Sequence, residues 1–151
     1  MPQTAQSITI DDIRRAARII ADSIVRTPCT RSQTLSELSG ADISLKLENL
    51  QFTSSFKDRG ALNRLSTLSD TEKKRGIIAM SAGNHAQAVA CFATRLGIPA
   101  TIVMPENTSF IKITNTERLG ATVVLHGDTG RGRTTRAGIT GRTRPDLYSS
   151  L

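Results

Sequence analysis

Lysine amines, two histidines and two cysteines are the side chains of this 151-residue sequence that could do chemistry. Lys57 stands in Ser54-Ser55-Phe56-Lys57-Asp58-Arg59-Gly60-Ala61, where a strand and loop enter a helix. The helix dipole is positive at that end, which disfavours a cation and favours the neutral amine that a carbonyl-condensing nucleophile needs. The same place also suits an ordinary surface lysine beside Asp58 and Arg59. A second cluster, Ser81-Ala82-Gly83-Asn84-His85-Ala86-Gln87, follows an apolar run and opens a helix. Free backbone N–H groups at a helix start suit an anion, and the Ser81 hydroxyl adds a donor, so a carboxylate-binding loop is chemically reasonable. A plain strand-to-helix turn capped by Ser or Asn fits the same residues. His85 and His126 have no acid or Cys at ligand spacing, so no metal site is expected. His85 reads as a loop-orienting residue and His126 as a strand-end residue. Cys29 and Cys91 stand far apart, and they read as two reduced thiols in the cytoplasm.

The elements that must position these groups alternate between helical and strand periodicity. Ile10, Ile13, Ala16, Ala17, Ile20 and Ile24 fall on one helical face, Thr9 with Asp12 forms a capping-box signal, and Thr27-Pro28 ends that helix. Ile43, Leu45 and Leu47 alternate with polar residues as a half-exposed strand. A helix begins near Ser55 and runs through Ala61, Leu62, Leu65 and Leu68. Ser69 and Glu72 cap a short helix that stops at Gly76. Ile77 to Met80 is a short apolar run of the kind a buried parallel strand shows, and Ala100 to Met104 and Thr122 to Leu125 read as further strands. Helices through Ala86 to Leu96 and Phe110 to Leu119 separate them. Strand–helix–strand repeats of this length imply an α/β fold, a parallel sheet with flanking helices in three αβα layers joined by right-handed crossovers.

The two clusters carry a resemblance. Lys46, Glu48, Gln51, Ser55 and Lys57 fit Lys-x-Glu-x-x-Gln-x-x-x-Ser-x-Lys, and Ser-Phe-Lys-x-Arg-Gly-Ala overlaps its end from Ser55 to Ala61. This resembles the cofactor-lysine motif of the pyridoxal-phosphate enzymes of the tryptophan-synthase β family (fold type II). Ser-x-Gly-Asn-His resembles the same family's asparagine loop, in the right order and on the right element. The resemblance implies pyridoxal 5'-phosphate as cofactor, held by Lys57 as a Schiff base, with Lys57 later removing the substrate Cα proton. It also implies that Phe56 packs on the cofactor ring and Asn84 bonds its phenolic oxygen. The carboxylate of an amino-acid substrate would be gripped by Ser81, Gly83, Asn84 and His85.

Within the family the sequence is most similar to the threonine/serine dehydratases, from about residue 10 to 129. Serine racemases carry a second Ser where Ala82 stands, and that hydroxyl is their base on the other face. Ala82 has no proton-transfer group, which favours dehydration, giving 2-oxobutanoate from threonine or pyruvate from serine, with ammonia. A serine racemase or another β-elimination enzyme is the alternative within the family. Ser109 departs from a Pro common there. The resemblance further implies homo-oligomeric full-length relatives, a glycine-rich phosphate loop and a Ser or Thr at the pyridine nitrogen. Neither of those two site parts occurs in this chain. The expectation is a truncated amino-terminal part over 1–129, with about 40–129 the smaller domain, inactive by itself.

Composition sets the remaining bounds. No stretch approaches the roughly 20 apolar residues of a membrane span, and Met1 to Thr9 has no secretory pattern. With only four Phe and one Tyr, the core must be aliphatic. Of the net charge of +7, residues 130–151 hold five arginines against one acid, which leaves +3 for the first 129 residues. That basic tail has neither period and reads as disordered and aberrant. A nucleic-acid binder acting through the tail is disfavoured, because the body lacks aromatic interleaving and zinc-ligand spacing. A non-catalytic binding fragment is the reading from another class.

Overall fold

A computed structural model describes residues 7–127. The expected disordered tail over 130–151 lies outside the described residues. Helix α1 (Ile10–Ile20) starts where its capping signal puts it. Thr9 Oγ1 accepts from the Asp12 amide at 3.2 Å, and Asp12 Oδ2 accepts from the Thr9 amide at 3.0 Å. The helix stops at Ile20, short of the expected end at Thr27-Pro28, and Ile24 lies outside it. Beyond the helix the Val25 backbone is held by a long-range contact. Gln51 Oε1 accepts from the Val25 amide at 3.2 Å, and Gln51 Nε2 donates to the Val25 carbonyl at 2.9 Å. Backbone groups tied to Gln51 in this way cannot continue a helix.

Strands β1 (Cys29–Arg31) and β2 (Ser44–Lys46) pair antiparallel, with Cys29 opposite Lys46. Between them runs α2 (Gln33–Ser39), capped by Ser32 and ended by Gly40 in the left-handed region at φ +69°. Neither β1 nor α2 is anticipated from the sequence. Helix α3 (Lys57–Ser66) begins two residues later than expected and leaves Leu68 beyond its end, still buried. Helix α4 (Asp70–Arg75) carries the second capping box, in which the Ser69 side chain accepts from the Glu72 amide.

Strands β3 (Ile77–Met80), β4 (Ala100–Met104) and β5 (Thr122–Leu125) form a parallel sheet in the order β3-β4-β5. Helices α5 (Asn84–Arg95) and α6 (Phe110–Arg118) make the two crossovers. The α/β class and the parallel sheet with flanking helices are as expected. Helix α5 is the centre of the molecule, because it packs against α3, α6, β3 and β4. Ala86, Ala88, Val89, Ala90 and Ala93 are wholly buried along it, and such short side chains let α3 approach closely. Leu65, Ile102 and Met104 close the aliphatic core, and Phe92 is the aromatic exception within it. Gly76, at φ +81°, sets the start of the sheet. A Cβ there would lie 2.7 Å from the Pro99 carbonyl oxygen, which accepts from the Ile77 amide at 2.8 Å.

Candidate active site

Lys57 is the first residue of α3 and is exposed, with Nζ 5.0 Å from the centroid of the Phe56 ring. Phe56 is itself 61% exposed, so its ring lies beside the amine and is not committed to the core. The loop that delivers Lys57 is braced from three sides. Glu48 accepts from Arg59 at two points, Nε at 2.7 Å and Nη2 at 2.8 Å. It also accepts from Thr27 Oγ1 at 2.7 Å and from Gln51 Nε2 at 3.3 Å. Lys46 Nζ donates to the Thr27 carbonyl at 2.6 Å. Thus Lys46, Glu48 and Gln51, the residues spaced ahead of Lys57, are fasteners between the 25–27 segment, the 48–51 turn and α3. The Arg59 guanidinium holds the Glu48 carboxyl at about 2, well below its ordinary 4.5.

The last brace is Asp58, wholly buried beside exposed Lys57. Its Oδ2 accepts from the Thr53 amide at 3.0 Å, and its Oδ1 accepts from the Thr53 hydroxyl. Inside this closure the Lys57 amide donates to Ser55 Oγ at 3.2 Å and the Ser54 amide donates to the Gln51 carbonyl at 2.9 Å. Ser54 is the one non-glycine residue with positive φ, +55°, among the described residues.

The second cluster opens α5. The Ser81 amide donates to the Val103 carbonyl at 3.1 Å, extending the β3–β4 ladder by one residue, and Ser81 Oγ accepts from the Gly83 amide at 3.3 Å. Gly83 is the residue before the helix, and no side chain caps it. Neither Ser81 nor Asn84 therefore serves as the helix cap. The first-turn amides of Asn84, His85 and Ala86 have no side-chain acceptor among the described residues, and they keep the partial positive charge of a helix start. Asn84 is exposed and His85 is half-buried. Burial lowers the His85 pKa below its ordinary 6.5, and the charge on Lys57 lowers it further. Helices α3 and α5, whose first turns carry Lys57 and His85, pack against each other.

Lys57 and Asn84, at the two helix starts, are both exposed. Two cavities lie elsewhere, neither lined by Lys57 or by residues 81–85. One, of about 880 Å³, lies between α1 and α3 and is lined by Ile13, Ala16, Asn63 and Thr67. The other, of about 390 Å³, lies beside Ile24, Phe52, Phe92 and Arg95. At this second place the Arg95 guanidinium sits 3.8 Å above the Phe52 ring, and Phe52 meets Phe92 edge to face at 6.2 Å. His126 stands just after β5, where its amide donates to the Met104 carbonyl at 2.8 Å, a strand-end position. Among the described residues, no helix is long and apolar enough to cross a membrane.

Sequence reasoning names Lys57 and the 81–85 loop as candidates but misses Asp58 and the Glu48–Arg59 pair as structural partners. Asp58 and Arg59 read there as ordinary neighbours of a surface lysine. The signal that was available is Thr53, a donor placed five residues ahead of an acid across a two-serine turn.

Known proteins bear on this geometry directly. The catabolic L-threonine dehydratase TdcB of Staphylococcus aureus strain N315 is 50% identical over 126 residues, covering 83% of this chain and 36% of that protein. The L-threonine ammonia-lyase of Thermotoga maritima is 53% identical over 121 residues, 80% of this chain and 30% of its own length. Among solved structures, maize serine racemase superposes with a TM-score of 0.76 at 35% identity, covering 82% of this chain and 38% of that one. The chain thus spans about a third of the length of the curated relatives it matches. A model of the family described as pyridoxal-phosphate dependent enzyme matches residues 20–144, and the chain belongs to that family.

Proposed function

We propose that the protein to which this sequence belongs dehydrates and deaminates L-threonine, L-serine or both, giving a 2-oxo acid and ammonia. The observation that carries the reading is the exposed lysine of the family motif opening one helix of a packed pair, the other of which, α5, starts uncapped directly after Ser81–Gly83. Pyridoxal phosphate is the family's cofactor, and when bound it supplies an electron-accepting ring. The residues present fit it in part: an accessible amine at Lys57, an uncommitted ring at Phe56 and free amides at the start of α5. A glycine-rich phosphate cradle is not among the described residues.

In this reading Lys57 Nζ holds the cofactor and moves the proton of the substrate's Cα. Phe56 bounds the cofactor ring, and Asn84 orients it by a hydrogen bond from its side chain. Ser81 Oγ and the amides from Gly83 to His85 hold the substrate carboxylate, the anion that a helix start favours. Ala82 decides between dehydration and racemisation. Its methyl group packs against the core and offers no proton to a second face of the substrate. The likeness to serine racemase makes racemisation the second reading, and Ala82 weighs against it.

Reductive trapping tests the assignment. The 151-residue chain, mixed with pyridoxal phosphate and treated with borohydride, should carry the added mass chiefly on the peptide containing Lys57. The other lysines, Lys46, Lys73, Lys74 and Lys112, serve as internal controls. Lys57→Ala should abolish the preferred label. Equal labelling of all lysines would sink the reading.

A further inference from the structure

We propose that Asp58 is a positioning residue for Lys57, setting where the amine stands through its closure onto Thr53. This inference rests on the reading of Lys57 as the cofactor lysine. Asp58 is 0% exposed although it follows an exposed residue at a helix start. A buried carboxyl group is costly unless its oxygens are hydrogen-bonded. Here both oxygens are used, and both partners belong to one residue, Thr53, on the far side of the turn. The closure spans Ser54, Ser55, Phe56 and Lys57, so it determines where α3 begins and which way its first residue faces.

Helix α5 backs the closure. Helix α3 packs on α5, and Asp58 is wholly buried in the first turn of α3. The loop also contains Ser54 at φ +55°, a conformation that serine does not hold without support. Releasing Asp58 removes that support. The Glu48–Arg59 pair and the packing on α5 also hold α3, so loss of Asp58 alone leaves the helix docked and frees chiefly the turn that carries Lys57.

Two substitutions separate positioning from plain stability. In Asp58→Asn the amide can accept from the Thr53 N–H and donate to the Thr53 hydroxyl, so the closure survives. Asp58→Ala removes both contacts. The readout is the rate of borohydride-trapped labelling by pyridoxal phosphate at Lys57, divided by that at Lys73 and Lys74 of α4 in the same molecule. With two hydrogen bonds lost, this ratio should fall about tenfold in Asp58→Ala, roughly the fold-change of one net hydrogen-bond energy. In Asp58→Asn it should stay within about twofold of the unaltered chain on the same scale. An unchanged ratio in a folded Asp58→Ala chain overturns the proposal.

If Asp58→Ala does not fold, amide hydrogen exchange in the unaltered chain decides. The Thr53 amide should exchange far more slowly than the Phe56 amide of the same turn, and equal rates overturn the closure. Exchange needs no cofactor. A chain with a protected Thr53 but no preferred label at Lys57 would therefore refute the functional reading and leave the closure standing.

Discussion

Glu48 is where the chemistry of one residue becomes stability of the whole loop. Its carboxyl titrates at about 2 in the folded chain, chiefly because Arg59 donates to it, against an ordinary 4.5. A folded value below the unfolded one means that the carboxylate form stabilises the fold. That contribution is complete above about pH 4.5 and is lost as the pH falls toward 2. Glu48→Gln should therefore flatten the acid limb of the stability curve over this range. At neutral pH it should cost about 1–2 kcal/mol, allowing for solvent screening of the part-exposed guanidinium. Urea unfolding of both chains at several pH values measures this. A constant difference down to pH 2 would show that the pair contributes nothing through its charge. Lys57 and the 81–85 loop are legible in the sequence because each is a contiguous string read against one element boundary. The braces are not. The partners of Glu48 stand 11 and 21 residues away, at Arg59 and Thr27, and Asp58 reads as a surface acid until its burial is seen.

Among the elements, the sheet depends on how tightly α4 hands over to β3. Gly76 combines φ +81° with a backbone oxygen 2.7 Å from any added Cβ. Gly76→Ala should therefore destabilise the chain by about 2–3 kcal/mol, since neither the left-handed conformation nor the Pro99 carbonyl can yield cheaply. Thermal unfolding would show it as a clear drop in Tm, and an unchanged Tm would contradict the close approach. The elements from α4 to β5 appear where periodicity and caps place them, because each carries its own local signal: a capping box, a four- or five-residue apolar run, a terminal glycine. Strand β1 and helix α2, three and seven residues long, are too short for either period to show. The Val25 backbone past the end of α1 is held by Gln51, 26 residues away, which no local pattern reveals.

For the whole molecule, the apolar stripe of α1 is only half used. Ile20 is buried, yet Ile10 and Ile13 are 59% and 57% exposed, and Met80, Phe110 and Ile111 are exposed elsewhere. Asn63 Oδ1, buried without a hydrogen-bond partner, lines the cavity beneath this stripe. Exposed apolar surface of this extent favours association. The purified chain should sediment with concentration-dependent mass, and Ile10→Glu with Ile13→Glu should reduce that mass while leaving Tm within about 2 °C, since surface changes move stability little. Unchanged association in the double variant would place the contact elsewhere.

Ser54 has a consequence for how the Lys57 turn behaves when disturbed. Its left-handed backbone is sustained by the ties around it, not by its own preference. Once those ties part, rotation back to an ordinary basin is locally downhill, and the amine at 57 swings with it. The turn should thus act as a latch with two settings, fully shut or sprung, and it should spring at lower temperature than the alanine-packed interior of α5 gives way.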